Sequence, residues 1–342
     1  MLLWWIGFLA PLKLLLKLVL GLLCRLRSHP VKLWTGTLSR ALNNKESYIV
    51  VTGCTDGIGL ATLRKIVEHY PQNPVLLVGR NKDKLSKVTE SLGTTYENLP
   101  SKSEDRKSGT RRIEVAVVDF ATENWPAEME RTLKGKSVGL LLNAAGETDV
   151  INRRYDEVDE SLIIRLIQVN LRSAMLMSRL CLPSMTVQKA GVIVNIGSMN
   201  LVAEEPFQAI YTATKGGIRA FSEALQSEVR SKNILVQNWE PGLVNTKMTL
   251  GRYKGLDRFS CSADEFAEYA FCMLQNGTHE LLIPFGYQPV TFSPYPLHEV
   301  TCGLAKFVPT HFLNQYAIHT RDSHTVEFIH CQTSRPNHGP HS

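Results

Sequence analysis

The stretch SYIVVTGCTDGIGLATLRKIVEHY, residues 47 to 70, decides the fold. YIVVT reads as a short buried strand, TGCTDGIG as a tight turn, and LATLRKIVEHY as a helix with apolar residues at helical spacing. Gly53, Gly57 and Gly59 stand where the backbone must turn sharply and admit a close neighbour. A helix that starts just behind such a turn presents free N–H groups and a positive dipole end, which suits a pyrophosphate. Glycines alone would mark only a tight turn. Set between an apolar strand and a helix, they predict a dinucleotide site built from Gly53, Thr55, Asp56, Gly57, Ile58 and Gly59.

The same rhythm continues outward. NPVLLVGR (73–80), IEVAVVDF (113–120), VGLLLNAAG (138–146), GVIVNIGS (191–198) and ILVQNWEPG (234–242) read as further strands. Between them, KDKLSKVTESL (82–92), ESLIIRLIQVNLRSAMLMSRLCL (160–182) and YTATKGGIRAFSEALQSEVR (211–230) read as helices. Residues 93–112 are charged and polar, and are expected to be an exposed loop. Strands that are continuous apolar runs, alternating with helices, predict a Rossmann-type doubly wound parallel sheet of the α/β class. There is no internal repeat. After residue 252 the pattern loosens to one more helix (ADEFAEYAFCMLQNG, 263–277) and one more strand (HELLIPF, 279–285).

The chain has 342 residues and a formal net charge of +6, with its basic residues dispersed rather than interleaved with aromatics. This disfavours a nucleic-acid partner. Its seven cysteines form no CxxC pair, which argues against a disulfide framework and a structural zinc site. The scattered histidines of the tail suggest no metal either. A reducing compartment follows.

MLLWWIGFLAPLKLLLKLVLGLLC (1–24) is apolar except for Lys13 and Lys17, and matches the length of about 20 residues that crosses a bilayer. Basic residues follow it (Arg25, Arg27, Lys32, Arg40), which places the remainder on the cytosolic side. Lys13 and Lys17 share a helical face, so a helix lying in the membrane interface is the alternative to a span. The expected division is a membrane anchor at 1–27, a linker at 28–46, the dinucleotide-binding domain at 47–290, an apolar substrate- or membrane-facing segment at 291–320 and a polar tail at 321–342.

Two local features suggest chemistry. Arg80 follows the second strand, where an acidic residue would hold an adenosine 2′-hydroxyl. A guanidinium there suits a 2′-phosphate, and so NADPH over NADH. Tyr211 and Lys215 are four apart and share a helix face. A phenol titrates near 10, and a nearby ammonium lowers that value towards useful acid–base work. Ser198 ends a strand 13 residues earlier, and Asn170 is an amide among apolar neighbours. Taken singly, each of these has an ordinary structural reading.

Together, the glycine turn, NAAG, VNIGS, YTATK and PGLVNT resemble the short-chain dehydrogenase/reductase family in order and approximate spacing, over about residues 47 to 250. The resemblance implies that Tyr211 is the proton donor or acceptor and that Lys215 lowers its pKa and holds the nicotinamide ribose. It implies that Ser198 orients the carbonyl, Asn170 supports a proton relay and Asp119 contacts the adenine. Asn143, Ala144 and Gly146 would line the cofactor, Thr246 would bind its nicotinamide end, and Pro241 and Gly242 would shape the turn. Ala144 departs from the family, many of whose members have a second asparagine there. VTGCTDGIG, NIGS, YTATK and TKM with an upstream apolar segment are similar to the branch of 17β-hydroxysteroid dehydrogenases and very-long-chain 3-oxoacyl-CoA reductases. That branch implies an NADPH-linked enzyme of the endoplasmic reticulum membrane with a cytosolic catalytic domain, possible homo-oligomers and a lipid carbonyl substrate. A 3-oxoacyl-CoA is favoured, then a 17-ketosteroid, then a retinal or ketosphingoid base; a catalytically silent, dinucleotide-binding membrane scaffold is the rival.

Overall fold

The computed structural model describes residues 36–98, 112–149, 153–198, 207–242, 244–249 and 261–276. The expected membrane anchor, the strand at 279–285, the apolar segment at 291–320 and the tail lie outside the described residues. Among the described residues no helix is long and apolar enough to cross a membrane.

Six strands form one parallel sheet: β1 (Tyr48–Thr52), β2 (Val75–Gly79), β3 (Ile113–Val117), β4 (Val138–Asn143), β5 (Gly191–Ile196) and β6 (Ile234–Trp239). Their order is β3-β2-β1-β4-β5-β6, so the chain starts in the middle and winds outward in both directions. The switch between the two windings falls between β1 and β4, and ligands of such sheets bind at the carboxyl ends of the strands beside this point.

Side chains alternate between two cores. Ile49, Val51, Leu77, Leu140 and Val194 join one, under α1 (Thr37–Leu42), α2 (Gly57–His69), α3 (Lys82–Asn98) and α8 (Ala263–Asn276). Val50, Leu76, Leu141 and Ile193 join the other, under α4 (Trp125–Leu133), α6 (Ser173–Gln188) and α7 (Ala209–Val229). Both faces being covered is why the central strands read as unbroken apolar runs. β3 departs from that reading. It is an edge strand, and Val115 and Val117 on it are exposed. A second, two-stranded ladder pairs β7 (Val244–Asn245) with β8 (Cys261–Ser262).

Three expectations need correction. Residues 37–42 are not linker but helix α1, and Leu38, Ala41 and Leu42 are buried beside the sheet. Their i, i+3, i+4 spacing is the signature of one apolar face. Gly139 of β4 makes room for it, because a Cβ there would strike the Ala41 carbonyl. Secondly, α3 continues to Asn98 and takes up the first residues assigned to the exposed loop. Thirdly, the long helix at 160–182 is interrupted. α5 (Glu160–Ile167) leads into a π turn (Gln168–Arg172) before α6 begins. Periodicity could not show this, because a single wide turn shifts the register without breaking the helix.

Helix α1 predicts a measurable contribution. Leu38 is 1% exposed. Leu38→Ala should destabilise the protein by about 2–5 kcal/mol in a chemical-denaturation experiment. A change near zero would return residues 37–42 to the status of linker.

Candidate functional site

The site is built at the carboxyl ends of β1, β4 and β5. At the end of β1, Gly53 has φ +64 and packs so closely on the next crossover that a Cβ would lie 2.5 Å from the Ala144 carbonyl oxygen. Gly59, in the first turn of α2, would drive a Cβ into the Gly53 carbonyl and to 3.0 Å from the Ala144 side chain. Thr52 ties the same two strands together: its hydroxyl accepts the N–H groups of Ala144 (3.1 Å) and Ala145 (3.2 Å). The glycines thus let β1, α2 and the NAAG segment meet without side chains between them. Asp56 caps α2 by accepting the Gly57 N–H at 2.8 Å. Thr55 and Ile58 stand beside it, half-buried. The turn expected to hold a pyrophosphate is a glycine-containing turn directly ahead of the N-terminus of α2.

The segment after β4 leads to the polar cluster around Lys215. Gly146 stands against two groups at once; a Cβ there would be 3.5 Å from Asn170 Oδ1 and 3.7 Å from Lys215 Nζ. Asn170, 2% exposed, is at the centre of the π turn. Its Oδ1 accepts the Glu147 N–H (2.7 Å) and its Nδ2 donates to the Glu147 carbonyl (2.8 Å). A further bond from Nδ2 reaches the Thr214 hydroxyl (3.3 Å), which donates to the Tyr211 carbonyl (2.7 Å). One amide therefore joins the NAAG segment to the helix that bears the tyrosine and lysine.

Lys215 is buried at 4% exposure, and its Nζ donates to the Ile196 carbonyl at 2.7 Å. Burial pushes its ammonium down to about 8. The same Nζ lies 5.5 Å from the centre of the Tyr211 ring, so the pair shares a helix face. Ser198 follows two residues after Ile196 and is 7% exposed, at the end of β5. Tyr211, Lys215, Asn170 and Gly146 meet in one place, and Ser198 stands at the strand end beside them.

At the other side, Thr246 packs on the glycine turn: a Cβ on Gly57 would lie 3.0 Å from its Cγ2. Lys247 pairs with Asp56 at 2.6 Å, across the same contact. Burial pushes the Asp56 carboxyl up, but Lys247 and the Gly57 N–H outweigh it and hold it below its usual value. Buried Pro241 and half-buried Gly242 begin the segment that carries Thr246 there.

Three candidates behave differently. The side chain of Asn143 turns into the protein, donating to Asn195 Oδ1 at 2.8 Å, and Asn195 donates in turn to Ser222 at 2.8 Å. Asn143 can line a ligand only through its backbone. Asp119 closes a local turn, its Oδ1 accepting the Ala121 N–H at 3.0 Å. Arg80, expected to face a phosphate, is ion-paired with Glu147 at 2.7 Å.

Sequence reasoning missed Thr52, Glu147, Arg165, Thr214 and Lys247. Thr52 had a signal, a lone hydroxyl ending an apolar strand. Glu147 stands directly after NAAG, but nothing in its spacing marks two arginines as partners.

Lys215 sets a pH dependence. Below about pH 8 the folded and unfolded chains both hold its proton, and the folded state bears the cost of a buried charge. Between about 8 and the ordinary 10.5 the folded chain has released the proton first, so stability rises with pH across that window. Lys215→Met should flatten this rise and stabilise the ligand-free protein at pH 7 by up to about 3 kcal/mol, read from denaturation curves at several pH values. A wild-type curve flat from pH 8 to 10.5 would contradict the assignment.

Comparison with known proteins agrees with the geometry. The model of the short chain dehydrogenase family matches residues 47–256. A human very-long-chain 3-oxoacyl-CoA reductase is 33% identical over 62% of this chain and 64% of its own length. A zebrafish protein of that name is 34% identical over 62% of each. A duck one is 30% identical over 89% of this chain and 93% of its own. The chain thus spans under two thirds of the human and zebrafish relatives. A short-chain dehydrogenase from Sphingobium yanoikuyae, solved in complex with NADPH, shares the fold at TM-score 0.59 and 20% identity, over 86% of this chain and 99% of that one. With its six-stranded sheet, its glycine cradle and its Tyr211–Lys215 pair, the chain belongs to the short-chain dehydrogenase family of oxidoreductases that use a nicotinamide dinucleotide.

Proposed function

We propose that the protein is a membrane-bound, NADPH-dependent reductase of a lipid carbonyl, and that its substrate is a long-chain 3-oxoacyl-CoA. The observation that carries the reaction is the convergence of Tyr211, Lys215 and Asn170 beside Ser198 at the carboxyl edge of the sheet. The substrate class is supported by the relatives named very-long-chain 3-oxoacyl-CoA reductase.

The residues present fit the cofactor. Gly53 and Gly59 let the turn after β1 close on the Ala144 segment, and the N–H groups at the start of α2 are of the kind that would hold a pyrophosphate. Thr55, Asp56, Gly57 and Ile58 complete the turn; Ala144, Gly146 and the backbone of Asn143 form the wall. Asp119 would border the adenine, Arg80 the 2′-phosphate, and Thr246, with Pro241 and Gly242 behind it, the nicotinamide end. When bound, NADPH supplies the hydride that adds to the carbonyl carbon. Everything else falls to the protein. Ser198 donates a hydrogen bond to the carbonyl oxygen and fixes its direction. Tyr211 gives that oxygen its proton. The ammonium of Lys215 favours the phenolate left behind and holds the nicotinamide ribose. Asn170, locked on Glu147, keeps the helix of Tyr211 in register with the cofactor wall.

A second reading, a hydroxysteroid substrate, is favoured by a chicken hydroxysteroid dehydrogenase-like protein 29% identical over 76% of this chain. NADPH oxidation by the detergent-solubilised full chain, with panels of long-chain 3-oxoacyl-CoA and 17-ketosteroids, separates the two. Turnover on the acyl-CoA is expected, faster with NADPH than with NADH. Turnover on steroids alone would move the substrate and keep the mechanism. Tyr211→Phe should lower kcat about 100- to 10,000-fold with little change in dinucleotide affinity. Binding without turnover on any lipid carbonyl would leave a silent scaffold.

Residues 1–27 would anchor the enzyme in the endoplasmic reticulum membrane, with the catalytic domain in the cytosol. In intact microsomes, external protease should then digest the domain, and Asn276, in the sequence NGT, should carry no glycan. A protected domain, or a glycosidase-sensitive mass shift, would reverse the orientation.

A further inference from the structure

Arg80 and Glu147 leave the ends of β2 and β4, the two strands that flank β1. Their ion pair therefore spans the end of β1, where the glycine turn begins. Glu147 has a second basic partner. Its Oε2 accepts Arg165 Nε at 2.7 Å, and its Oε1 accepts both Arg165 Nη2 at 3.0 Å and Arg80 Nη1 at 2.7 Å. Arg165 grips the carboxylate as a two-pronged fork, the stronger geometry. Arg80 holds it by one nitrogen and its side chain is 56% exposed, against 22% for Glu147. Nor can Glu147 easily move away, since both its N–H and its carbonyl are bonded to the buried Asn170. Of the three charged groups, Arg80 is the one free to exchange partners.

We propose that Glu147 is a specificity-determining residue of the cofactor site: an internal carboxylate that occupies Arg80 and sets how strongly a 2′-phosphorylated dinucleotide is preferred over one with a free 2′-hydroxyl. This rests on the reading of Arg80 as the 2′-phosphate ligand. A phosphate monoester near pH 7 carries about −1.5 to −2 charges and three strong acceptor oxygens, so it can draw the guanidinium from a carboxylate of one charge. The exchange still subtracts the Arg80–Glu147 interaction from the binding free energy. It also leaves a carboxylate, fixed by Arg165, beside the incoming phosphate. A ribose with a free 2′-hydroxyl breaks no ion pair and meets little repulsion. The influence of Glu147 thus falls selectively on the 2′-phosphate. It limits affinity for NADPH without touching the pyrophosphate cradle.

The test is calorimetric titration of the full-length chain in detergent with 2′,5′-ADP and with 5′-AMP, which differ only in the 2′-phosphate. Glu147→Gln should tighten 2′,5′-ADP roughly tenfold at low salt and leave 5′-AMP within about twofold. The gain should shrink at high salt, where exposed charges are screened. Glu147→Asp keeps the charge and draws it back by one methylene, so it should give a smaller gain in the same direction; this variant serves if the glutamine variant folds poorly. Unchanged or weaker 2′,5′-ADP binding in a folded variant would overturn the inference and make Glu147 a support for Arg80. Arg80→Ala distinguishes the other failure. If wild type binds the two nucleotides alike and Arg80→Ala changes neither, the NADPH reading itself is wrong, and the inference falls with it.

Discussion

The site depends on an ammonium that the fold has taken out of water. Lys215 is 4% exposed, and its Nζ donates to the carbonyl of Ile196. That carbonyl belongs to the last residue of β5, a strand paired on both sides, with β4 and β6. The sheet thus fixes the acceptor and α7 fixes the donor, and the buried charge is tolerable because its partner cannot drift. A single hydrogen bond would be a poor return for desolvating a lysine if stability were the only consequence. Tyr211 one turn earlier and Ser198 two residues beyond the acceptor give the charge a place in proton transfer.

Asn170 extends that constraint to the cofactor wall. A helix of regular pitch from Glu160 to Gln188 would carry its apolar face past the site unchanged. The π turn at 168–172 alters the register at Asn170, and the amide spends both its polar atoms on the backbone of Glu147. The result is a continuous path. It runs from Tyr211 through Thr214 and Asn170 to Glu147, and from there through its carboxylate to Arg165 and Arg80. The glycines have the complementary task. Where Asn170 joins elements by bonding, Gly53 and Gly59 join β1, α2 and the Ala144 segment by having no Cβ to keep them apart.

The fold was legible in the sequence because its signals are short-range. YIVVT, VLLVG and VGLLLN are apolar runs that only a doubly covered sheet explains, and TGCTDGIG punctuates the first of them. The Tyr211–Lys215 face was legible for the same reason, since four residues make one helical turn. Glu147 was not. Its partners are 67 and 18 residues away, and ion pairing leaves no periodic trace. Helix α1 is hard to read although Leu38, Ala41 and Leu42 share one face; a six-residue segment beside a polar stretch gives too few turns to establish a period.

Polar residues within apolar strands divide into two uses, and the structure shows what separates them. Asn143 and Ser198 both stand at the end of a central strand, in motifs that point to the same site. Ser198 is two residues past the end of β5, beyond the last ladder pair, where a side chain can turn towards a ligand. Asn143 is the last residue within β4, paired with Asn195, so its direction is set by the pleat. It points into the core and meets Asn195, which reaches Ser222. That chain stitches β4 and β5 to α7 one turn below Ile218, on the helix that presents Lys215. The asparagine of the motif acts on the chemistry at one remove, by fixing the helix against the sheet, and the two residues after the strand leave the backbone free to form the wall.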